Sequence, residues 1–228
     1  LGTGNAIQTV EVVRTIGETY GVEYWITGAV IAVLAGLVIL GGIKRIASVA
    51  EKIVPGMALT YIAVGLVVVA LNYTGIPDAF YRIFSNAFGF GAAAGGFSGA
   101  LIMLAMQRGV ARGIFSNEAG QGSAPIAHAA AQNNDPVDQG IIAMLGTFLD
   151  TIIVCTMTGL VIITSGLWTS GLTGAELTSA GFASVLPHGD KVVAVALSVF
   201  AFTTIIGWSY YGERSVEYLF GEKAIPVY

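Results

Sequence analysis

Tyr24-Trp25-Ile26-Thr27-Gly28-Ala29-Val30-Ile31-Ala32-Val33-Leu34-Ala35-Gly36-Leu37-Val38-Ile39-Leu40-Gly41-Gly42-Ile43 runs without one charged residue. A helix of roughly 20 mainly apolar residues, rising 1.5 Å per residue, crosses the ~30 Å hydrocarbon core of a bilayer. The run predicts a membrane-spanning helix, and the flanks agree. Upstream, Glu11, Arg14 and Glu18 stand at i+3 and i+4 spacings within residues 1–19. That favours a helix whose later turns leave the membrane. Downstream, Lys44-Arg45 and Glu51-Lys52 form a charged link, and Pro55 suits the first turn of a new helix.

The same test applied along the chain predicts further spans at 55–73, 78–106, 137–166 and 191–211. Asn72-Tyr73-Thr74-Gly75-Ile76-Pro77 reads as a turn. Two connections are long: 107–136, which is polar, and 167–190, rich in Gly, Thr and Ser. If the chain weaves at each span, one side receives Lys44, Arg45, Lys52, Arg108, Arg112, Arg214 and Lys223. The other receives Arg14, Arg82 and Lys191. Basic residues collect on the cytoplasmic side, so the 107–136 loop is expected inside and the 167–190 loop outside. The fold class expected is an all-α integral membrane protein, one transmembrane domain over 1–228, multi-pass in the cell membrane.

Composition supports this. Charged residues are 11% of the 228 and apolar ones 55%, against about 25% charged in an ordinary soluble domain. The mean hydropathy is +0.78. The 31 glycines fit helices whose backbones approach closely in lipid. The net charge of −4, with no basic stretch, points away from a nucleic-acid partner. The single cysteine, Cys155, lies in an apolar run and reads as a small hydrophobe. The opening Leu1-Gly2-Thr3-Gly4-Asn5 has neither methionine nor a basic leader, so the chain is expected to be a piece of a longer protein.

Four stretches carry chemistry. Phe88-Gly89-Phe90-Gly91-Ala92-Ala93-Ala94-Gly95-Gly96-Phe97-Ser98-Gly99 is rich in glycine, and Gly91, Gly95 and Gly99 recur every four residues. It reads either as a close-packing seam or as an unwound break of the kind transporters use to bind charged groups. Asp150 lies well inside the 137–166 span. An intramembrane carboxylate must face protein or water, and it serves either function or helix packing. Thr204 and Trp208 are four apart, on one helix face. A hydroxyl one turn from an indole suits a small polar ligand, and hydroxyl oxygens suit hard cations. The bland alternative is a hydroxyl bonded back to the i−4 carbonyl. In the 107–136 segment Asn117 and Glu118 are candidates to cap a short helix. No metal spacing is present, since His128 and His188 fall in different loops. No paired nucleophile and base is evident either, so an enzyme is not expected.

The block from Gly113 to Ala131, with Ser116-Asn117-Glu118-Ala119-Gly120-Gln121-Gly122-Ser123-Ala124-Pro125 at its centre, closely resembles the sodium:alanine (alanine or glycine:cation) symporter family. So do the blocks Val38 to Ile46, Phe148 to Thr158 and Phe202 to Glu213. The resemblance implies a LeuT-like fold of two inverted five-helix repeats, with this chain as helices three to eight. The glycine-rich span would be the discontinuous helix six. Helices one, two, nine and ten would lie outside the chain, and helix one would supply the other half of the ligand site. The resemblance also implies sodium-coupled symport of a small neutral amino acid, alanine or glycine, by alternating access. Substrate residues would be Gln8 and Asn5 on helix three, Phe88 and Gly91 on helix six, and Thr204 and Trp208 on helix eight. Thr203 and Thr204 would be sodium ligands, so the co-transported sodium ion, the amino acid and the bilayer are the expected partners. Val10-Glu11 departs from the more polar, uncharged pair usual after the Gln8 position. The competing reading is an ion channel or membrane scaffold that uses the glycine seam for packing alone.

Overall fold

The structure is a computed structural model that describes residues 2–87, 98–133 and 135–227. The break was expected at 88–99; Phe88, Gly91 and the rest of 88–97 lie outside the described residues, and Ser98 and Gly99 are not unwound but open the helix that follows. The described residues are helical, with no strand among them. The helices are α1 (Gly2–Tyr20), α2 (Tyr24–Ile39), α3 (Gly42–Leu71), α4 (Ile76–Ala87), α5 (Ser98–Asn117), α6 (Ala124–His128), α7 (Pro136–Thr147), α8 (Thr156–Thr164), α9 (Gly174–Ala183) and α10 (Gly189–Phe220). Between α7 and α8 the residues Phe148–Cys155 form a π-helix, so the two helices and the π-turn make one rod. Gly42–Leu71, Pro136–Thr164 and Gly189–Phe220 are long and apolar enough to cross a membrane, with mean hydropathies of 2.2, 1.9 and 2.0.

Helix ends follow local chemistry. Gly21, at φ 68°, ends α1, and its N–H bonds the Gly17 carbonyl at 2.9 Å. That is the left-handed cap glycine tolerates best. Asp135 caps α7 by accepting from Val137 N at 2.8 Å, and Pro136 fills the first turn.

Several boundaries differ from the sequence expectation. Pro55 is not a helix start but lies inside α3, which begins at Gly42 and carries Lys44, Arg45, Glu51 and Lys52 within it. The missing Pro55 N–H costs one bond in an otherwise continuous ladder. The 107–136 segment is helical as far as Asn117, and 167–190 contains α9. Asn117 and Glu118 end α5 rather than start a helix. Glu118 takes the left-handed φ of 56°, and the short α6 begins after Ser123.

The chain forms two compact units, Leu1–Gly65 with Leu167–Tyr228, and Leu66–Gly166. In the first, α1 packs along α10, and α2 and α9 pack against both. Its core is aromatic at one end. The Tyr61 ring sits 5.6 Å from that of Phe182 and 5.7 Å, edge-on, from that of Phe200. Phe182 and Ile206 are fully buried. In the second unit α4 packs on α5 and α8, and α5 packs on the π-turn.

Candidate functional site

Two groups of predicted residues emerge, one in each unit. The first belongs to α1 and α10. Tyr20, the last residue of α1, donates from its hydroxyl to the Lys191 carbonyl near the start of α10, at 3.1 Å. The two helices therefore run antiparallel. Gln8 is twelve residues before Tyr20 and Thr203 twelve after Lys191, about 18 Å along each axis. That sets Gln8 level with Thr203 and Thr204. Asn5, Gln8, Val12 and Thr15 succeed one another at steps of three, four and three, a single helix face. Val12 and Thr15 on that face are buried, and Asn5 and Gln8 are half-buried. Asn5 Oδ1 is shut away from solvent and accepts no hydrogen bond among the described residues. A buried carbonyl oxygen without a donor is costly and suits an incoming cation or ammonium.

On α10 the hydroxyls of Thr203 and Thr204 both donate to the Phe200 carbonyl, at 2.8 and 3.0 Å. The back-bonded geometry expected of threonines in apolar helices is thus what the structure contains. It does not remove them as ligands. A hydroxyl that donates its one hydrogen keeps its oxygen lone pairs, and the back-bond turns those lone pairs outward. Trp208 is one turn further along, half-buried, with its ring 6.1 Å from that of Tyr211. Beyond it Arg214 pairs with Glu213 and Glu217 and lies over the Tyr210 ring at 5.2 Å. A cleft of about 530 Å³ in this unit, lined by Tyr20, Met57, Thr60, Val192, Val195 and Val199, includes none of the predicted residues.

The second group surrounds the π-turn. Ser116 Oγ donates to both oxygens of Asp150, at 3.0 and 2.8 Å. Asn117 Nδ2 donates to Thr151 Oγ1 at 2.9 Å, and Thr151 Oγ1 lies 3.4 Å from Asp150 Oδ2. Asn117 Oδ1 accepts from Ala119 N at 2.9 Å, which fixes the amide's orientation. Cys155 Sγ is 3.7 Å from Ser116 Oγ. Thr151 and Asn117, with His128, Thr147 and Phe148, also line a cleft of about 760 Å³. Glu118 follows Asn117 in the left-handed conformation that ends α5.

Asp150 was legible in the sequence as an acid inside an apolar span, but its partners were not. Ser116 stands 34 positions away, in a segment expected to be loop. A third contact was also unforeseen. Glu11 Oε2 accepts from Ala175 N at 3.3 Å, so α1 caps the N-terminus of α9. Arg14 Nη2 reaches Glu176 at 3.4 Å while its Nε holds Glu18 at 2.8 Å. The charge at Glu11 is what distinguishes this position from the uncharged pair expected there.

The whole chain, residues 1–228, matches the model of the sodium:alanine symporter family. It is 51% identical over 231 residues to the sodium/alanine symporter AgcS of Methanococcus maripaludis, covering 100% of this chain and 50% of that protein. It is 49% identical over 230 residues to an uncharacterized transporter of Haemophilus influenzae, again covering 100% and 50%. A probable sodium/glutamine symporter, GlnT, of Bacillus subtilis is 40% identical over 223 residues, covering 97% and 46%. The chain spans about half the length of the curated relatives it matches. Its apolar helices mark it as a membrane protein, and with these matches the chain belongs to the sodium:alanine symporter family.

Proposed function

We propose that the protein of which this chain is part carries a small neutral amino acid, alanine or glycine, into the cell together with sodium. It would do so as a multi-pass protein of the cell membrane, built on a LeuT-like inverted repeat in which this chain supplies helices three to eight. The observation that carries the reading is the α1–α10 face. Gln8 and the Thr203 and Thr204 hydroxyls stand at one depth, the hydroxyl lone pairs are free of their back-bonds, and Asn5 Oδ1 lacks a donor.

Thr203 and Thr204 hold the sodium ion, and helix one brings carbonyl oxygens from outside the chain. Gln8 and Asn5 bind the polar end of the amino acid, Phe88 and Gly91 of the glycine-rich sequence contribute to the same site, and Trp208 walls the pocket. Sodium entry supplies the driving force, since each charge crossing 100 mV is worth about 2.3 kcal/mol. Rocking of one repeat against the other alternates access. The substrate is the finer point. One relative bears the name of an alanine symporter and another that of a glutamine symporter, so side-chain size is what the pocket must discriminate.

The test is uptake of labelled alanine by the full-length protein in liposomes, with and without an inward sodium gradient, against competing glycine and glutamine. Saturable uptake that needs sodium is expected. Thr204→Ala should raise the sodium concentration for half-maximal uptake about tenfold or more, the cost of losing one oxygen from a charge. Thr204→Ser should stay near wild type. Uptake indifferent to sodium would remove the ion from this account, and sodium flux that neither saturates nor depends on alanine would favour a channel.

A further inference from the structure

The corner between α2 and α3 gathers cations that the described residues do not neutralise. Lys44 and Arg45 stand in the first turn of α3, which holds no acidic residue. A helix N-terminus is already positive and disfavours cations, so two of them there raise the local potential further. Lys44, Ser48 and Lys52 follow at steps of four, on one helix face, and all three are exposed, as is Arg45. Glu51 is the one acid in the stretch, also exposed, so three cations stand against one carboxylate. No ion pair among the described residues includes Lys44, Arg45, Glu51 or Lys52. Gly41 keeps the group close to α2. A Cβ there would stand 2.2 Å from Arg45 Cδ, so the Arg45 stem lies across the end of α2.

The surroundings are those of a bilayer boundary. Past Lys52 the same face of α3 continues at steps of three and four through Pro55 and Leu59, and it turns apolar while staying exposed, Leu59 at 68%. The opposite face is buried, at Ile46, Met57 and Tyr61. On α2, Val33 and Leu37 share an exposed apolar face that ends in Leu40 at the corner, 88% exposed. The 30 residues of α3 reach about 45 Å, against a ~30 Å hydrocarbon core. About ten residues of it therefore stand outside the core, and the basic stretch 42–52 has that length.

We propose that this corner is a docking site for an anionic phospholipid of the cytoplasmic leaflet. Its phosphate lies among Lys44, Arg45 and Lys52, and its acyl chains run along the exposed apolar faces of α2 and α3. The chain's charge asymmetry puts this end inside, where the leaflet surface is negative. A zwitterionic headgroup brings its own cation and gains less from three more. The inference needs only the membrane character of the chain and does not rest on the symport scheme.

The experiment is thermal unfolding of the full-length protein in detergent, titrated with phosphatidylglycerol and, as reference, phosphatidylcholine of the same chain length. Wild type should melt higher with phosphatidylglycerol. Salt at about 1 M, where the screening length is about 3 Å, should erase most of that gain. Each basic residue near an anionic surface is worth roughly fivefold in affinity. Lys44→Gln, Arg45→Gln and Lys52→Gln together should therefore raise the lipid concentration for half-maximal shift on the order of a hundredfold. Ser48→Lys adds a cation to the same face and should lower it roughly fivefold. Arg108→Gln with Arg112→Gln removes exposed cations elsewhere on the expected inner side and should leave it unchanged. Equal response of wild type to the two lipids would overturn the proposal. So would a triple variant that keeps the wild-type response, the result expected if the rest of the protein covers this face. Should the triple variant not fold, Ser48→Lys decides, and no gain in lipid response there would overturn the assignment. Inorganic phosphate at matching concentration should not shift the melt, and a shift as large as the lipid's would make a free anion the ligand and refute a lipid site.

Discussion

Replacing Gly189 by alanine tests the packing of the first unit. A Cβ at this position would stand 2.7 Å from the Phe182 carbonyl oxygen, 2.8 Å from its carbon and 3.1 Å from Ala183 N. Ordinary contact begins near 3.4 Å, so the 182–189 turn must open by about 0.7 Å. The obstacle is backbone and has no rotamer to yield. Nor is the turn free to move, because Phe182 is 0% exposed and its ring lies against Tyr61. Overpacking of this kind costs about 1–3 kcal/mol, and alanine at the first turn of α10 returns less than about 1 kcal/mol of helix propensity. The net loss is about 1–2 kcal/mol. At roughly 1–2 °C per kcal/mol for a protein about twice the length of this chain, the melting temperature should fall by about 1–4 °C. The assay is thermal unfolding of the full-length protein in detergent, followed by tryptophan fluorescence. Gly36→Ala is the control: it is helical and nothing lies within 4 Å of its added Cβ, so it should be neutral or slightly stabilising. If Gly189→Ala melts at or above wild type, the close approach of α10 to the α9 turn is wrong.

Other consequences are open to the same melts. Glu11→Ala removes the carboxylate at the N-terminus of α9 and should cost about 0.5–1 kcal/mol, more than Glu18→Ala, which removes only an exposed, solvent-screened pair with Arg14. Equal losses would deny Glu11 its capping role. His188 sits at φ 62° before α10, so His188→Gly should be neutral or stabilise by up to about 1 kcal/mol, whereas His188→Val should destabilise by about 1–2 kcal/mol. At the proposed sodium site, Thr203→Val, which keeps the shape but loses the oxygen, should weaken sodium dependence of uptake much as Thr204→Ala does. Unaltered dependence in both would clear α10 of cation binding.

Apolar length made most of the helices legible. Residues 136–164 and 189–220 follow the runs read from the sequence, because long apolar stretches leave the backbone no better partner than itself in lipid, whereas the run 24–43 yields a helix of only 16 residues, Tyr24–Ile39, ended before Gly41-Gly42. Charge misled at α3. Lys44, Arg45, Glu51 and Lys52 look like a link, yet long charged side chains are good helix formers, and Gly42 with its φ of 65° is the true turn. Proline misled at the same place, since one lost bond does not break a 30-residue helix. The α1–α10 face was legible only through family resemblance, because nothing local says that Gln8 and Thr203 share a depth. The Asp150 cluster was half legible. An acid in an apolar run announces itself, but a partner 34 residues away is a fact of tertiary structure.

The π-turn has a consequence for how this rod tolerates change. A π-helix spends more residues on a turn than the 3.6 of an α-helix, so Phe148–Cys155 holds surplus chain. Removing one residue there would let the ladder regularise, and the local hydrogen bonds would gain. Everything beyond, Thr156–Thr164 with buried Met157, Leu160 and Val161, would keep nearly its orientation around the axis, because the residue lost is the one the wide turn holds in excess. The widened turn therefore acts as a store of slack. A single-residue deletion within it should be tolerated far better than one inside α10, where each residue removed swings all that follows by about 100°.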